Sequence, residues 1–152
     1  MQKIQYIRAL PADVSSVAKL HQLLYSDDPT RTMIGLSEEI RKAVAEQRVW
    51  AAKTGERIVS YLIIDFFGPD QKNFPNSIFM SGLYVVEPYR KQGIGRQLVE
   101  VMSKEEFPIQ FGYFSVTHDP NEKWLTGYYE SLGYKKIGTT EAGNIKMTKS
   151  RF

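Results

Sequence analysis

Leu83-Tyr84-Val85-Val86-Glu87-Pro88-Tyr89-Arg90-Lys91-Gln92-Gly93-Ile94-Gly95-Arg96-Gln97-Leu98 is the stretch on which the reading turns. An apolar strand runs into a short turn, and a helix begins within the glycine pair. Ile94, Leu98, Val101 and Met102 give that helix an apolar stripe. A helix N-terminus presents unpaired backbone N–H groups and a partial positive charge, so anionic phosphates bind there readily. Glycines let the backbone approach such a ligand because no Cβ intervenes. Arg90, Lys91 and Arg96 add positive charge on the same turn. The dinucleotide fingerprint would need a third glycine where Leu98 stands, and the Walker pattern would need Gly-Lys-Ser/Thr at its end; neither is met. What the turn does satisfy is Arg/Gln-x-x-Gly-x-Gly/Ala, with Arg90, Gly93 and Gly95.

Outward from this turn the chain reads as short alternating elements. Upstream, Ile4–Arg8 alternates polar and apolar residues as a strand does. Pro11 and Asp13 open a helix with Val14, Val17, Ala18, His21, Leu24 and Tyr25 on one face. After a polar break at residues 26–30, Ser37 is expected to cap a second helix, with Glu38 and Glu39 in its first turn. Strands are expected at residues 48–54 and 57–67 around a Gly55-Glu56 turn, then a loop at 68–76 and a strand at 77–86. Downstream, a strand at residues 109–117 leads to a helix at 121–132. Gly133 fits the left-handed position that ends a helix, and a hairpin at 134–139 and 144–148 closes the chain. Strands mixed with helices imply an α/β (α+β) sandwich around a mostly antiparallel sheet, in one domain over residues 1–152.

The strand, the Tyr89-Arg90 pair, the glycine turn and the following helix together resemble the pyrophosphate-binding motif of the GNAT N-acetyltransferase superfamily. The proline of that motif stands here one place later, at Pro88. Tyr128-Tyr129-Glu130-Ser131-Leu132-Gly133-Tyr134 looks like the family's second signature, and Asn121 resembles its coenzyme-contacting asparagine, one residue further from the tyrosine than is usual. The early strand and helix and the strand pair around Gly55 agree as well, so the resemblance covers nearly the whole chain. It implies a GNAT-like fold: a twisted, mixed, mostly antiparallel sheet of six to seven strands flanked by about four helices and splayed between the fourth and fifth strands. It implies acetyl-CoA as cosubstrate, held by Leu83, Tyr84, Val85, Arg90, Lys91, Gln92, Gly93, Ile94, Gly95, Arg96 and Asn121. Backbone groups of residues 83–85, unpaired at the splay, would meet the pantetheine arm.

The activity so implied is transfer of an acetyl group to a primary amine of a small molecule or peptide by direct attack, with no acyl-enzyme. Tyr129 would be the general acid for the leaving thiolate, since a phenol stays protonated at neutral pH. A strand N–H near Val85 would serve the oxyanion. The base is open. Residues 78–83, Ile-Phe-Met-Ser-Gly-Leu, carry no carboxylate, and Asp65 and His118 are the candidates, whereas His21 reads as packed. Tyr25, Met33, Phe66, Phe67 and Phe74 would form an aromatic acceptor pocket, with Asp27 and Asp28 attracting a cationic amine. The alternative is an acyl-CoA-binding module without catalysis.

Composition narrows the classes further. With no cysteine, disulfides, thiolate metal sites and a cysteine acyl-enzyme are excluded, and the two histidines, His21 and His118, form no local metal motif. Lys and Arg number 20 against 17 Asp and Glu, a net charge of +3, and no dense basic block suggests nucleic acid. No apolar run approaches the roughly 20 residues of a membrane span, and Met1 to Ala9 hold no signal-peptide core, so a cytoplasmic location is the default. Homodimers are common in the family, although nothing in the sequence identifies an interface.

Overall fold

The structure, a computed structural model, describes residues 3–151; Met1, Gln2 and Phe152, the ends of the expected 1–152 domain, lie outside the described residues. Seven strands and four α-helices alternate along it: β1 (Ile4–Arg8), α1 (Val14–Leu24), α2 (Met33–Ala45), β2 (Val49–Thr54), β3 (Arg57–Phe67), β4 (Ser77–Val85), α3 (Ile94–Ser103), β5 (Tyr113–His118), α4 (Trp124–Ser131), β6 (Lys135–Thr139) and β7 (Ile145–Ser150). The mixed, mostly antiparallel sheet and four flanking helices are those the sequence led us to expect. The chain forms two compact units, one of residues up to Ile63 with Gly82–Glu105, the other of Ile64–Ser81 with residues from Glu106 on. β3 and β4 each contribute to both.

In the first unit the strands lie in the order β1-β2-β3-β4. β1 pairs antiparallel with β2 from Ile4↔Thr54 to Arg8↔Trp50. β2 pairs antiparallel with β3, with a register shift between Ala52 and Lys53. Period-two alternation sends Val49, Ala51, Tyr61 and Ile63 into one cluster with Val17 and Ala18 of α1 and Ile40 and Ala43 of α2. Ala52 and Val59 pack instead with Ile94 of α3. The extra residue at the bulge explains why Ile58 joins Tyr61 rather than its own parity mates. With both faces covered, β3 is buried from Ile58 through Ile64.

In the second unit β4 runs parallel to β5 over three residue pairs, ending at Phe79↔Ser115. β5 pairs antiparallel with β7, and β7 with β6, shifting register between Lys136 and Gly138. Ser77 and Ser115 join the parallel pair through buried hydroxyls 2.8 Å apart. Phe107, Phe111 and Phe114 form an edge-to-face train.

Three elements start three or more residues from where they were expected, each for a local reason. α2 starts at Met33, not at Ser37, because the extended Thr32 (φ −101°, ψ 154°) accepts a hydrogen bond from the Gly35 N–H and caps the helix a turn earlier. Ser37 lies inside. β5 starts at Tyr113 rather than residue 109. Gly112 donates to Asn76 O and accepts from the Arg151 N–H, ahead of the β5 ladders that begin at Tyr113, while Phe111 is buried in the aromatic train. α4 starts at Trp124 rather than 121, since the Asn121 N–H is taken by the Asp119 carboxylate at 2.8 Å. No described helix is long and apolar enough to cross a membrane.

Candidate functional site

The glycine turn folds as its residues dictate. Pro88 lies in a 3-10 turn over Glu87–Tyr89, and Arg90 returns to extended backbone. Lys91 (φ 64°) and Gly93 (φ 80°) then adopt left-handed conformations, and α3 begins at Ile94. A Cβ on Gly93 would meet no atom within 4 Å, so this glycine answers a backbone requirement, not a crowded one. Gly93 supplies no side-chain cap to α3, and the first intrahelical bond runs from the Gln97 N–H to Gly93 O. The first-turn N–H groups of Ile94, Gly95 and Arg96 therefore head a helix that has no side-chain acceptor at its cap. Arg90, Lys91, Gln92 and Arg96 are exposed around this end, while Ile94 and Gly95 are buried. The turn is braced internally. Arg90 Nε donates to Val85 O at 2.8 Å with its guanidinium 5.3 Å from the Tyr84 ring centroid, and Gln92 Nε2 donates to Pro88 O at 3.2 Å.

Leu83, Tyr84 and Val85 close β4 and are half-buried. Their backbone is less open than the resemblance implied. The Ser60 hydroxyl donates to Tyr84 O at 2.8 Å, and Val85 O is the acceptor for Arg90. Each carbonyl retains a second lone pair.

In the second unit, Tyr129 sits near the end of α4 and is 8% exposed. Its ring lies near-parallel to His118 at 6.0 Å and edge-on to Tyr128 and Tyr134. Burial raises its phenol above the ordinary range, with Tyr128 and Glu122 adding to the effect, so the hydroxyl is a donor at any physiological pH. Asn121 is exposed in the turn before α4. His118 faces Asp119 O at 3.0 Å through Nδ1 and the Thr126 hydroxyl at 2.9 Å through Nε2. A carbonyl only accepts, so Nδ1 carries the proton and Nε2 accepts from Thr126. The two contacts tie His118 to the turn before α4 and to α4 itself. Asp65 is half-buried on β3.

The residues expected around the acceptor have separate surroundings. In the first unit, Tyr25 meets His21 edge-on at 4.9 Å with the Arg31 guanidinium 4.2 Å above its ring. Met33 packs on the core cluster of that unit. Asp28 is held by Thr30, whose N–H and hydroxyl donate to it and keep its carboxyl below the ordinary range. Asp27 is exposed. In the second unit, Phe67 and Phe74 line a cavity of 390 Å³ with Phe79, Lys72, Thr117 and Glu141, and Phe66 packs edge-on against Phe107.

A cluster that local sequence patterns do not announce joins α1, β3 and α2. His21 is 1% exposed and its Nδ1 lies 2.5 Å from the Tyr61 hydroxyl, which is itself fully buried. Its Nε2 makes no well-aligned hydrogen bond and faces Glu39 Oε2 at 3.4 Å. Arg31 pairs with the same carboxylate at 3.0 Å. Burial lowers the imidazole below its ordinary range, with Glu39 opposing, and burial raises the Tyr61 phenol. The one hint in the sequence was the inward position of His21 on its helix. Its partner, 40 residues on, is visible only in the fold.

The fold is shared with a ribosomal-protein-alanine N-acetyltransferase from Brucella melitensis, at 18% identity and TM-score 0.77 over 96% of this chain and 99% of that one. It is shared with an acetyltransferase of the GNAT family from Bacillus cereus, at 15% identity and TM-score 0.77 over 99% of each. A diaminobutyrate acetyltransferase from Paenibacillus lautus, solved with L-2,4-diaminobutyric acid and coenzyme A, matches at 15% identity and TM-score 0.73 over 100% of this chain and 98% of that one. The sequence profile of the acetyltransferase (GNAT) domain matches residues 45–136, more than half of the chain and the whole of the glycine turn. The chain belongs to the GNAT acetyltransferase family.

Proposed function

We propose that this protein is an N-acetyltransferase that moves the acetyl group of acetyl-CoA to a primary amine of a small molecule or peptide. The observation that carries the reading is the start of α3, a helix with no side-chain cap, behind a left-handed glycine and ringed by Arg90, Lys91 and Arg96. These features suit a pyrophosphate. The N–H groups of Ile94, Gly95 and Arg96 would donate to its oxygens, and the three cations would neutralise its charge. Leu83, Tyr84 and Val85 would hold the pantetheine amides by backbone bonds, and Asn121 would add a side-chain contact. The named acceptors of two proteins of this fold, an alanine of a ribosomal protein and diaminobutyrate, make an amine the first acceptor class to test.

In the reaction, an amine attacks the thioester carbonyl, a C–N bond forms and the C–S bond breaks. Coenzyme A supplies the thiolate leaving group. The hydroxyl of Tyr129 donates to that sulfur. Because its phenol is raised, it hydrogen-bonds the thiolate first and yields the proton only as charge accumulates there. Donation from the backbone near Val85 stabilises the oxyanion.

Thermal unfolding with and without acetyl-CoA tests the reading, with NAD and ATP as controls. A ligand that binds only the folded state raises stability with the logarithm of its concentration over Kd. The proposal expects a clear upward shift with acetyl-CoA alone. No shift at saturating acetyl-CoA, or an equal shift with ATP, would overturn it. A shift without thiol release on any amine would favour the non-catalytic acyl-CoA-binding module.

A further inference from the structure

The reaction needs a group that removes a proton from the attacking nitrogen, and residues 78–83 of β4 carry no acid. The cluster on α1, β3 and α2 supplies what that strand lacks. Its inner end is the Tyr61 hydroxyl, which lies against β4 at Gly82. A Cβ built on Gly82 would come within 3.4 Å of that oxygen and 2.8 Å of Ile63 Cγ2. The close contact is the one with Ile63, and the phenol oxygen lies at contact distance of this strand, next to Leu83. Leu24 Cδ2 is the third neighbour of the same spot, and Leu24 is 37% exposed at the end of α1. An acceptor that meets the hydroxyl would have to displace this partly exposed side chain. The cluster's outer end is Glu39, 36% exposed and in contact with Arg31.

For a neutral ring, the two contacts favour one assignment of protons. A carboxylate only accepts, so the His21 Nε2 that faces Glu39 carries the proton of the neutral ring. Nδ1 is then the acceptor, and Tyr61 O–H donates to it at 2.5 Å. A neutral, buried imidazole placed between a phenol and a carboxylate is ready to receive a proton from the phenol side.

We propose that Tyr61, His21 and Glu39 form a proton relay that deprotonates the acceptor amine, with Tyr61 as the residue that meets the nitrogen. This rests on the acetyltransferase reading given above. Before the C–N bond forms, an acceptor that arrives as an ammonium gives a proton to Tyr61 Oη, and the phenolic proton passes to His21 Nδ1; the neutral amine then attacks, and the second proton that the nitrogen sheds goes to solvent. Glu39 stabilises the resulting imidazolium, and after product release the Nδ1 proton returns through Tyr61 Oη to water, so the ring ends with Nε2 protonated as it began. The leaving thiolate takes its own proton from Tyr129, which recovers one from solvent. His21 and Glu39 act through Tyr61 and are positioning residues. Tyr25, Arg31 and Tyr84 are the other titratable groups around the relay. Arg31 works against the imidazolium, and Tyr25 and Tyr84, when charged, disfavour the phenolate.

The test has three readouts on the full chain. The first is the ring nitrogen spectrum of His21 at neutral pH, which needs no acceptor. The relay requires a protonated Nε2 and a bare Nδ1, and the opposite tautomer or a charged ring overturns it. The second is thiol release from acetyl-CoA with an alanine-terminated peptide, 2,4-diaminobutyrate and hydroxylamine, for wild type, Tyr61→Phe and Glu39→Gln. Basic amines need the relay, whereas hydroxylamine is already neutral. Turnover of the basic amines should fall by about a hundredfold in Tyr61→Phe, and by at least about tenfold more than turnover of hydroxylamine. Glu39→Gln, at a partly exposed site, carries the same comparison if Tyr61→Phe fails to fold. It should also move the acid limb of kcat/KM to lower pH, since the imidazolium loses its counter-charge. Equal losses with all acceptors, or an unmoved limb, would overturn the relay. So would a wild-type chain that binds acetyl-CoA and acetylates none of the three. The third readout, the acetyl-CoA thermal shift, should be the same in all variants. Its absence in wild type would instead sink the coenzyme reading, so the two failures are distinguishable.

Discussion

Replacing Gly93 separates the backbone role of the glycine turn from its role toward a ligand. Gly93 holds φ 80°, and a Cβ there would touch nothing within 4 Å, so Gly93→Ala adds conformational strain without a clash. An L-residue in the left-handed region costs about 1–2 kcal/mol. For a chain of this length 1 kcal/mol moves Tm by about 2–4 °C, so Ala should lower it by roughly 3–6 °C. Gly93→Asp should cost less, because Asp tolerates this region better and its carboxylate would complement the α3 dipole by about 0.3–1 kcal/mol. Toward acetyl-CoA the order reverses. A carboxylate about 5 Å from two phosphate charges is repelled by roughly 2 kcal/mol even at a water-like dielectric, or about thirtyfold in Kd. At a ligand concentration of about 100 times the wild-type Kd, binding adds about 2.7 kcal/mol, a shift of roughly 8 °C. For Gly93→Asp the same concentration should give only about 2–3 °C. Scanning fluorimetry with and without acetyl-CoA reads both quantities. A folded Gly93→Asp protein with the full wild-type shift would refute the placement of the pyrophosphate at α3.

Tyr129→Phe should keep the acetyl-CoA shift and lose turnover by about a hundredfold or more in a thiol-release assay, since it removes only the donor to the leaving sulfur. Stability should depend on His21 with a definite sign. Its folded pKa lies below the ordinary 6.5 because burial disfavours the imidazolium, although Glu39 opposes this. The unfolded chain therefore binds more protons in acid, so this contribution is full above about pH 6.5 and is lost as pH falls toward the folded value. Urea unfolding at mildly acid and mildly alkaline pH should show that loss in wild type, and a smaller one in His21→Gln. Thr32→Ala removes the cap of α2 and should cost about 1 kcal/mol by urea unfolding while leaving acetyl-CoA binding intact.

Elements governed by local chemistry were legible before any coordinates. The β3 boundaries follow from a largely apolar stretch, broken by Ser60 and Asp65, between the Gly55 turn and Gly68, and Gly133 takes the left-handed φ that its position implied. The misreadings arose where a local pattern has a non-local competitor. Ile109 and Phe111 alternate with polar residues as a strand would, yet Phe111 belongs to an aromatic cluster, and the β5 ladder to β4 and β7 starts only at Tyr113. Ser37 is as good a cap residue as Thr32, but Leu36 and Ile40 are both buried, so the helix must already be formed when it reaches them. The glycine turn was readable because all its parts lie within one short stretch. The His21–Tyr61–Glu39 cluster was not, because three separate elements bring it together and each residue alone reads as ordinary core or surface.

Acetyl transfer itself is the claim on which the rest depends. The direct measurement incubates the protein with acetyl-CoA and a panel of primary amines, and follows free thiol together with the mass of each amine. The account predicts that at least one amine gains a single acetyl group, with one thiol released per product and both signals lost in Tyr129→Phe. Thiol release with no acetylated amine, or none with any amine despite tight acetyl-CoA binding, would contradict it.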